Sequence, residues 1–198
     1  MFFRPKIYLP PLTFPDAERD LLCATYEAAS RIVEYGSGGS TLVAAAAGKP
    51  ILSVESDRKW AANMNAVLAR DFSGARAEVI WCDVGPTKKW GTPRGTAAHR
   101  QFHLYPLAVW DRPDVGVPDV VLVDGRFRIA CFCATVLRMT APVTLLFDDY
   151  VSRPEYAVVE QLVKPHRITG RMAEFRLEPM QVPQDQWTWF IGAFARTR

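Results

Sequence analysis

Residues 31–41 read RIVEYGSGGST. The run Arg31–Tyr35 has the β-branched character of a strand and passes directly into glycines. The stretch STLVAAAAG that follows is alanine-rich and stops at Gly48-Lys49-Pro50, a strong helix-ending signal. A strand, a glycine turn and a helix are the parts of a dinucleotide or nucleoside site. Gly36 and Gly38 allow a sharp turn and a close approach to a ligand with no Cβ in the way. The helix start then offers amide groups to a polar or anionic ligand atom.

Outward from this loop the same alternation continues. ILSVE (51–55) reads as a second strand, and Asp57 can cap a helix in which Trp60, Met64, Val67, Leu68 and Phe72 keep the 3.6-residue period. AEVIWCD (77–83) is a third strand. DVVLVD (119–124) is a fourth, almost wholly apolar as a strand covered on both faces should be. A helix burying Ile129, Phe132, Cys133, Val136 and Leu137 separates it from VTLLFD (143–148), the fifth. The expected fold is α/β: a doubly wound, mostly parallel sheet of seven strands, Rossmann-like, in a single domain over 1–198. An extended Pro-rich lead-in (4–15) precedes a helix from an Asp16 N-cap to Ser30, with Leu21, Leu22, Thr25, Ala28 and Ala29 inward. Ser152-Arg-Pro-Glu155 reads as a capping box opening a helix to Lys164. RITGRMAEFRLEP and QWTWFIGAFA both alternate apolar with polar, which predicts an antiparallel pair at the sheet edge. Residues 84–118 break the rhythm. They carry His99, His103, Trp90, Tyr105 and Trp110, with part of Thr96–Trp110 helical, and read as a lid or acceptor-binding insertion.

Composition sets the class. The 198 residues are 49% hydrophobic and 23% charged, enough apolar matter for a core, with a net charge of +3 and no block of like charges. That argues against disorder and against a nucleic-acid arm. The four cysteines lack zinc spacing, and Cys131 and Cys133 lie too close on one helix to bridge each other. They read as small buried hydrophobes in a reducing compartment. Early charge and four prolines in the first fifteen residues do not make a signal peptide, and no apolar run approaches the ~20 residues of a membrane helix. The expectation is a cytoplasmic protein with no membrane and no nucleic-acid partner; its oligomeric state is left open.

Three carboxylates fall at or near strand ends. Glu34 stands two residues before Gly36. Glu55, followed by Ser56, ends the second strand nineteen residues beyond Gly36, where an acidic side chain can accept both ribose hydroxyls. Asp83 ends the third strand. Open parallel sheets bind ligands along that rim.

These segments resemble a known family. VEYGSGGST, VESD, WCD, VLVDGRFR and LLFDDY are similar, in order, to the motifs of class I S-adenosylmethionine-dependent methyltransferases, over about Arg31–Tyr150. The resemblance implies that S-adenosylmethionine is the cofactor, with Gly36, Ser37, Gly38, Gly39 and Ser40 on its methionine part and Glu34 near its amino group. It implies Glu55 and Ser56 at the ribose and Asp83 beside the adenine amine. Ser40 stands where the family usually has a third glycine. In catechol O-methyltransferase and its relatives an Asp and an Asp-Asn pair bind magnesium. Asp124 and Asp148 match two of those ligands and Asp149 replaces the Asn, so the resemblance extends to Asp124, Asp148 and Asp149 as Mg²⁺ ligands or as catalytic acids and bases. His99 is a second candidate base. Arg126, just after Asp124, is a candidate for orienting an anionic small-molecule acceptor.

Other readings stay open. A nicotinamide oxidoreductase would need a small residue where Thr41 stands and a cradle for a pyrophosphate. A methyltransferase-like protein that binds without catalysis is compatible with Ser40. Enzymes that methylate base amines usually carry an Asp/Asn-Pro-Pro-aromatic tetrad after the fourth strand, where this chain has Asp124-Gly-Arg-Phe.

Overall fold

A computed structural model describes residues 8–196; the start of the expected lead-in, residues 4–7, lies outside them. The chain runs α1 (Asp16–Ala28), β1 (Ile32–Tyr35), α2 (Gly39–Ala46), β2 (Ile51–Glu55), α3 (Arg58–Asp71) and β3 (Ala77–Trp81). A small hairpin, β4 (Thr87–Lys88) and β5 (Thr92–Pro93), and a short α4 (Leu104–Leu107) follow. Then come β6 (Val120–Val123), α5 (Arg128–Arg138), β7 (Val143–Phe147), β8 (Arg167–Thr169), β9 (Met172–Leu177) and α6 (Trp187–Ala193).

Seven strands form one sheet in the order β3-β2-β1-β6-β7-β9-β8. The first five of these are parallel, while β9 is antiparallel to both β7 and β8. The period-2 alternation sorts the strands onto two faces. Val33, Tyr35, Val121, Val123, Leu145 and Phe147 pack toward α5. Ile32, Val120, Leu122 and Leu146 turn the other way, with Leu22 and Tyr26 of α1 and Ala44 of α2. Chain order reverses between β1 and β6, so their carboxyl ends open the crevice where a doubly wound sheet takes its ligand.

Several local expectations need correction. Asp16 is the first helical residue rather than the cap, and Pro15 precedes it. The inward face of α1 is Glu18, Leu22, Tyr26 and then Ala29; Ala28 is exposed. Leu137 is exposed at the end of α5. The Ser152–Glu155 capping box does not form: the Ser152 hydroxyl donates back to the Asp149 carbonyl at 3.0 Å, and Pro154–Gln161 winds as a 3₁₀ helix. The antiparallel pair comes from RITGRMAEFRLEP alone, which turns on itself at Gly170-Arg171, where Gly170 has φ +55°. QWTWFIGAFA is instead α6, burying Phe190 and Ala193. Their three-residue spacing after Pro183 was the helical signal that apparent alternation masked.

The 84–118 segment divides in two. Phe102, Tyr105, Val109 and Trp110 belong to the main core, where the Trp110 indole donates to the Tyr35 hydroxyl at 2.7 Å. Only the hairpin tip around Trp90-Gly91 reaches the crevice.

Candidate active site

The Gly loop is built by contacts that leave no room for side chains. Gly36 has φ +97°, and its amide donates to the Val54 carbonyl at 2.9 Å. A Cβ there would fall 2.6 Å from the Cα of Gly125 at the end of the neighbouring β6. Beside Gly38 the space is open.

Glu34 lies beneath this loop, fully buried and absent from the cavity wall. It accepts hydrogen bonds from the hydroxyls of Ser40, Thr41 (2.5 Å) and Tyr26 (3.3 Å). The Thr41 oxygen in turn accepts from the Gly38 amide at 2.9 Å. Burial raises the Glu34 carboxyl above its ordinary range, against the lowering effect of its hydroxyl donors. Ser40, which stands where the family usually has a third glycine, is therefore one of the hydroxyl donors that, with Thr41 and Tyr26, satisfy a buried acid. That acid fixes the start of α2.

Glu55 lies on the wall of the crevice. Its carboxylate accepts from the amides of Ser56 (2.7 Å) and Asp57 (2.9 Å), and its other oxygen from the Ser37 hydroxyl (3.2 Å). Burial pushes its carboxyl upward while these donors pull it down. Asp57 caps α3 as expected, accepting from Lys59 and Trp60 amides at 2.9 and 3.1 Å. Ser56 faces away and ties down the hairpin, its hydroxyl donating to the Gly91 carbonyl at 2.8 Å. Asp83 does not join the crevice. It is exposed and accepts from the Gly85 amide at 2.9 Å, an Asx turn.

Asp124, Asp148 and Asp149 do converge, but around arginines. The Arg128 side chain is 4% exposed. Its guanidinium donates to the Gly125 (3.0 Å), Asp124 (2.8 Å) and Asp148 carbonyls and to Asp124 Oδ1 (3.0 Å), and pairs with Asp149 Oδ2 at 3.2 Å. Arg171 holds both carboxylate oxygens of buried Asp148, at 2.9 and 3.0 Å, and Arg153 reaches Asp149 at 3.2 Å. This set does not fit Mg²⁺. Three guanidinium groups already neutralise the three carboxylates and engage both oxygens of Asp148 and Asp149 and one of Asp124, which leaves a small hard cation too few oxygens. Among the described residues no group of three His, Cys, Asp or Glu is arranged to hold a metal ion. Burial, followed by the nearby acids Asp148 and Asp149, raises Asp124 well above the carboxylate range despite Arg128.

His99 is exposed on a 3₁₀ turn, its Nδ1 3.0 Å from the Thr96 carbonyl, and is not on the cavity wall; His103 is exposed as well. Tyr105 and Trp110 are core residues. Of the insertion's aromatic set only Trp90, 76% exposed with φ +65°, faces the crevice.

Sequence reading missed one wall. The lead-in Tyr8–Phe14 lies across the Gly loop as a strap. A Cβ on Gly39 would stand 2.5 Å from the Pro11 carbonyl oxygen. Asn63 of α3 clamps the strap through both backbone groups of Tyr8, at 2.9 and 2.7 Å, and the Tyr8 ring lies 5.9 Å from that of Trp60. The Trp60 indole donates to the Ser37 carbonyl at 2.8 Å. The four prolines in fifteen residues were the available signal: such a segment extends, but nothing in it says where it docks. Strap, loop, hairpin tip and acid–arginine cluster enclose a cavity of about 760 Å³, within the range of small-molecule sites.

Among the described residues no helix is long and apolar enough to cross a membrane. No family model matches the chain, and no curated protein does. Solved structures do. A methyltransferase-like protein from Silicibacter pomeroyi is 47% identical, with a TM-score of 0.88 over 94% of this chain and 98% of that one. A methyltransferase from Geobacter sulfurreducens (12% identical, TM-score 0.55, 85% and 82% of the two chains) shares the fold. So does the C-terminal domain of precorrin-6Y C5,15-methyltransferase from Rhodobacter capsulatus (14%, 0.54, 88% and 96%). The likeness to the Silicibacter protein along nearly the whole of both chains places this chain in the family of that methyltransferase-like protein, on the Rossmann-like fold that methyltransferases share.

Proposed function

We propose that the crevice binds S-adenosylmethionine and that the protein transfers its methyl group to a small-molecule acceptor. The observation that carries this reading is Glu55: a carboxylate held on the wall beside the glycine turn, at the end of the second strand, by the Ser56 and Asp57 amides and Ser37. A carboxylate there can accept two vicinal ribose hydroxyls. The openness beside Gly38 and the start of α2 suit the aminocarboxylate end of the cofactor. Bound there, S-adenosylmethionine supplies an electrophilic methyl carbon on a sulfonium. The chain's own residues do the remainder: they hold the acceptor in line, exclude water and take up its proton.

The strap and the Trp90–Gly91 tip are the water-excluding walls, and orientation of this kind supplies roughly 7–11 kcal/mol of a displacement barrier. Asp124 is the proposed base for a hydroxyl acceptor. It is partly open to the cavity, and the other two acids of its cluster are more fully enclosed. No metal enters this scheme. Arg128 and Arg171 hold the acids in the arrangement that a cation would otherwise impose.

Incubation with S-adenosylmethionine and a panel of hydroxylated acids, read by mass spectrometry, tests the proposal. The expected result is equimolar S-adenosylhomocysteine and methylated product, lost on Asp124→Asn. Binding of S-adenosylhomocysteine with no turnover of any acceptor would instead favour a non-catalytic binding protein.

A further inference from the structure

Among the described residues, Arg126 is the cavity-lining guanidinium without a carboxylate partner. Arg128, Arg153 and Arg171 each have one. Arg126 is half-buried, and its side chain makes a single 3.5 Å contact, with the Thr92 hydroxyl of the hairpin. The Asp124 carboxylate nearest it in sequence is taken by Arg128. Burial and the Arg128 charge both disfavour its cation, which nevertheless persists at neutral pH because a guanidinium does not give up its proton. A half-buried cation that lines the cavity and is paired with no carboxylate is placed to take an anion from a ligand.

Two anions could do so: the carboxylate of the cofactor or a group on the acceptor. Geometry separates them. The cofactor's carboxylate has the first amides of α2, which no intrahelical bond uses. Arg126 instead reaches to Thr92, next to the Trp90–Gly91 tip. Leu12 and Phe14 of the strap and Trp90 of the hairpin tip are among the apolar residues that line the same cavity. Phe127, fixed at φ +52° with its ring 5.0 Å from Phe102 and 5.3 Å from Tyr105, anchors the turn that sends Arg126 and Arg128 to separate duties.

We infer that Arg126 is the specificity determinant for the acceptor, and that the acceptor is a carboxylic acid with an apolar body, its carboxylate paired with the guanidinium and its body between strap and hairpin tip. This deepens the proposed function and rests on it, since the crevice must first hold the adenosyl group.

The test uses 2-naphthoate and the isosteric neutral 2-naphthamide as probes on the full chain saturated with S-adenosylhomocysteine. Wild type should bind the acid at least tenfold more tightly than the amide. Arg126→Gln should bring the ratio to within about twofold, and Arg126→Lys should keep part of it. S-adenosylhomocysteine and 5′-methylthioadenosine, which lacks the aminocarboxylate, should each bind Arg126→Gln as they bind wild type. Equal binding of acid and amide by wild type, or a preference that survives in a folded Arg126→Gln, would overturn the inference. So would loss of S-adenosylhomocysteine but not of methylthioadenosine in that variant, which would assign Arg126 to the cofactor. A wild-type protein that binds no S-adenosylhomocysteine would overturn the cofactor reading itself, a failure distinct from these.

Discussion

Gly36 and Gly125 touch backbone to backbone: a Cβ on the first would lie 2.6 Å from the Cα of the second, and a Cβ on Gly125 would lie 2.8 Å from the Gly36 nitrogen. Two strand ends are thereby drawn together at the point where chain order reverses, with Asp124, just past β6, on the wall of the crevice.

Gly125→Ala should force these turns apart. The expected result is at least a tenfold loss of S-adenosylhomocysteine affinity, about 1.4 kcal/mol or more, with a lower melting temperature. Gly74→Ala, where a Cβ meets nothing within 4 Å, should leave affinity unchanged. Calorimetry of the two variants makes the comparison.

The pairing of Arg171 with both oxygens of Asp148 predicts metal independence. Turnover should be the same with EDTA as with added Mg²⁺. Asp148→Asn should destabilise the fold by about 1–3 kcal/mol, below the value for a fully buried pair because Arg171 is partly exposed. A loss of activity on chelation that Mg²⁺ restores would contradict this.

Asp124 gives a pH signature. Its carboxyl is raised above the unfolded value, so the folded state binds that proton more tightly. Between the unfolded and folded values, stability contributed at this site falls as pH rises. The base form appears only above the folded value. Turnover should therefore fall on acidification at a pH above the ordinary carboxylate range of about 4. Asp124→Asn should abolish turnover and flatten the stability profile in that window. A rate profile with no acidic limb above that range would remove Asp124 as the base.

The strap should retain the cofactor. Asn63→Ala removes both hydrogen bonds to Tyr8, each worth about 1 kcal/mol or less at an exposed site. S-adenosylhomocysteine should dissociate roughly three- to tenfold faster by stopped-flow measurement, with little change in melting temperature. An unchanged rate would make the strap a passive cover.

Much of the fold was legible because burial on both faces leaves a plain mark. The VVLV and VTLLF runs, and Asp57 before its helix, read as they fold. The glycine turn and Glu55 also fell where expected, since strand-end position follows from strand length. Direction was harder. Nothing local tells that Glu34 points under the loop to Ser40 and Thr41, or that Asp83 bends back on Gly85. The acids of the cluster were visible, but their arginine partners were only partly so. Arg128 is four residues from Asp124, whereas Arg171 sits at the turn of a hairpin folded within RITGRMAEFRLEP, which the apolar–polar alternation presents as one strand. The strap was hidden for the same reason, its partner Asn63 lying 55 residues away.

The central claim, that the glycine turn and Glu55 hold an adenosyl group, is tested most directly by titrating the protein with S-adenosylhomocysteine and with NAD⁺ in a calorimeter, in wild type and Glu55→Gln. One molecule of S-adenosylhomocysteine should bind per chain, at least tenfold more weakly to Glu55→Gln, and NAD⁺ should give no saturable heat. Binding of NAD⁺ in place of S-adenosylhomocysteine, or equal affinity in a folded Glu55→Gln, would contradict it.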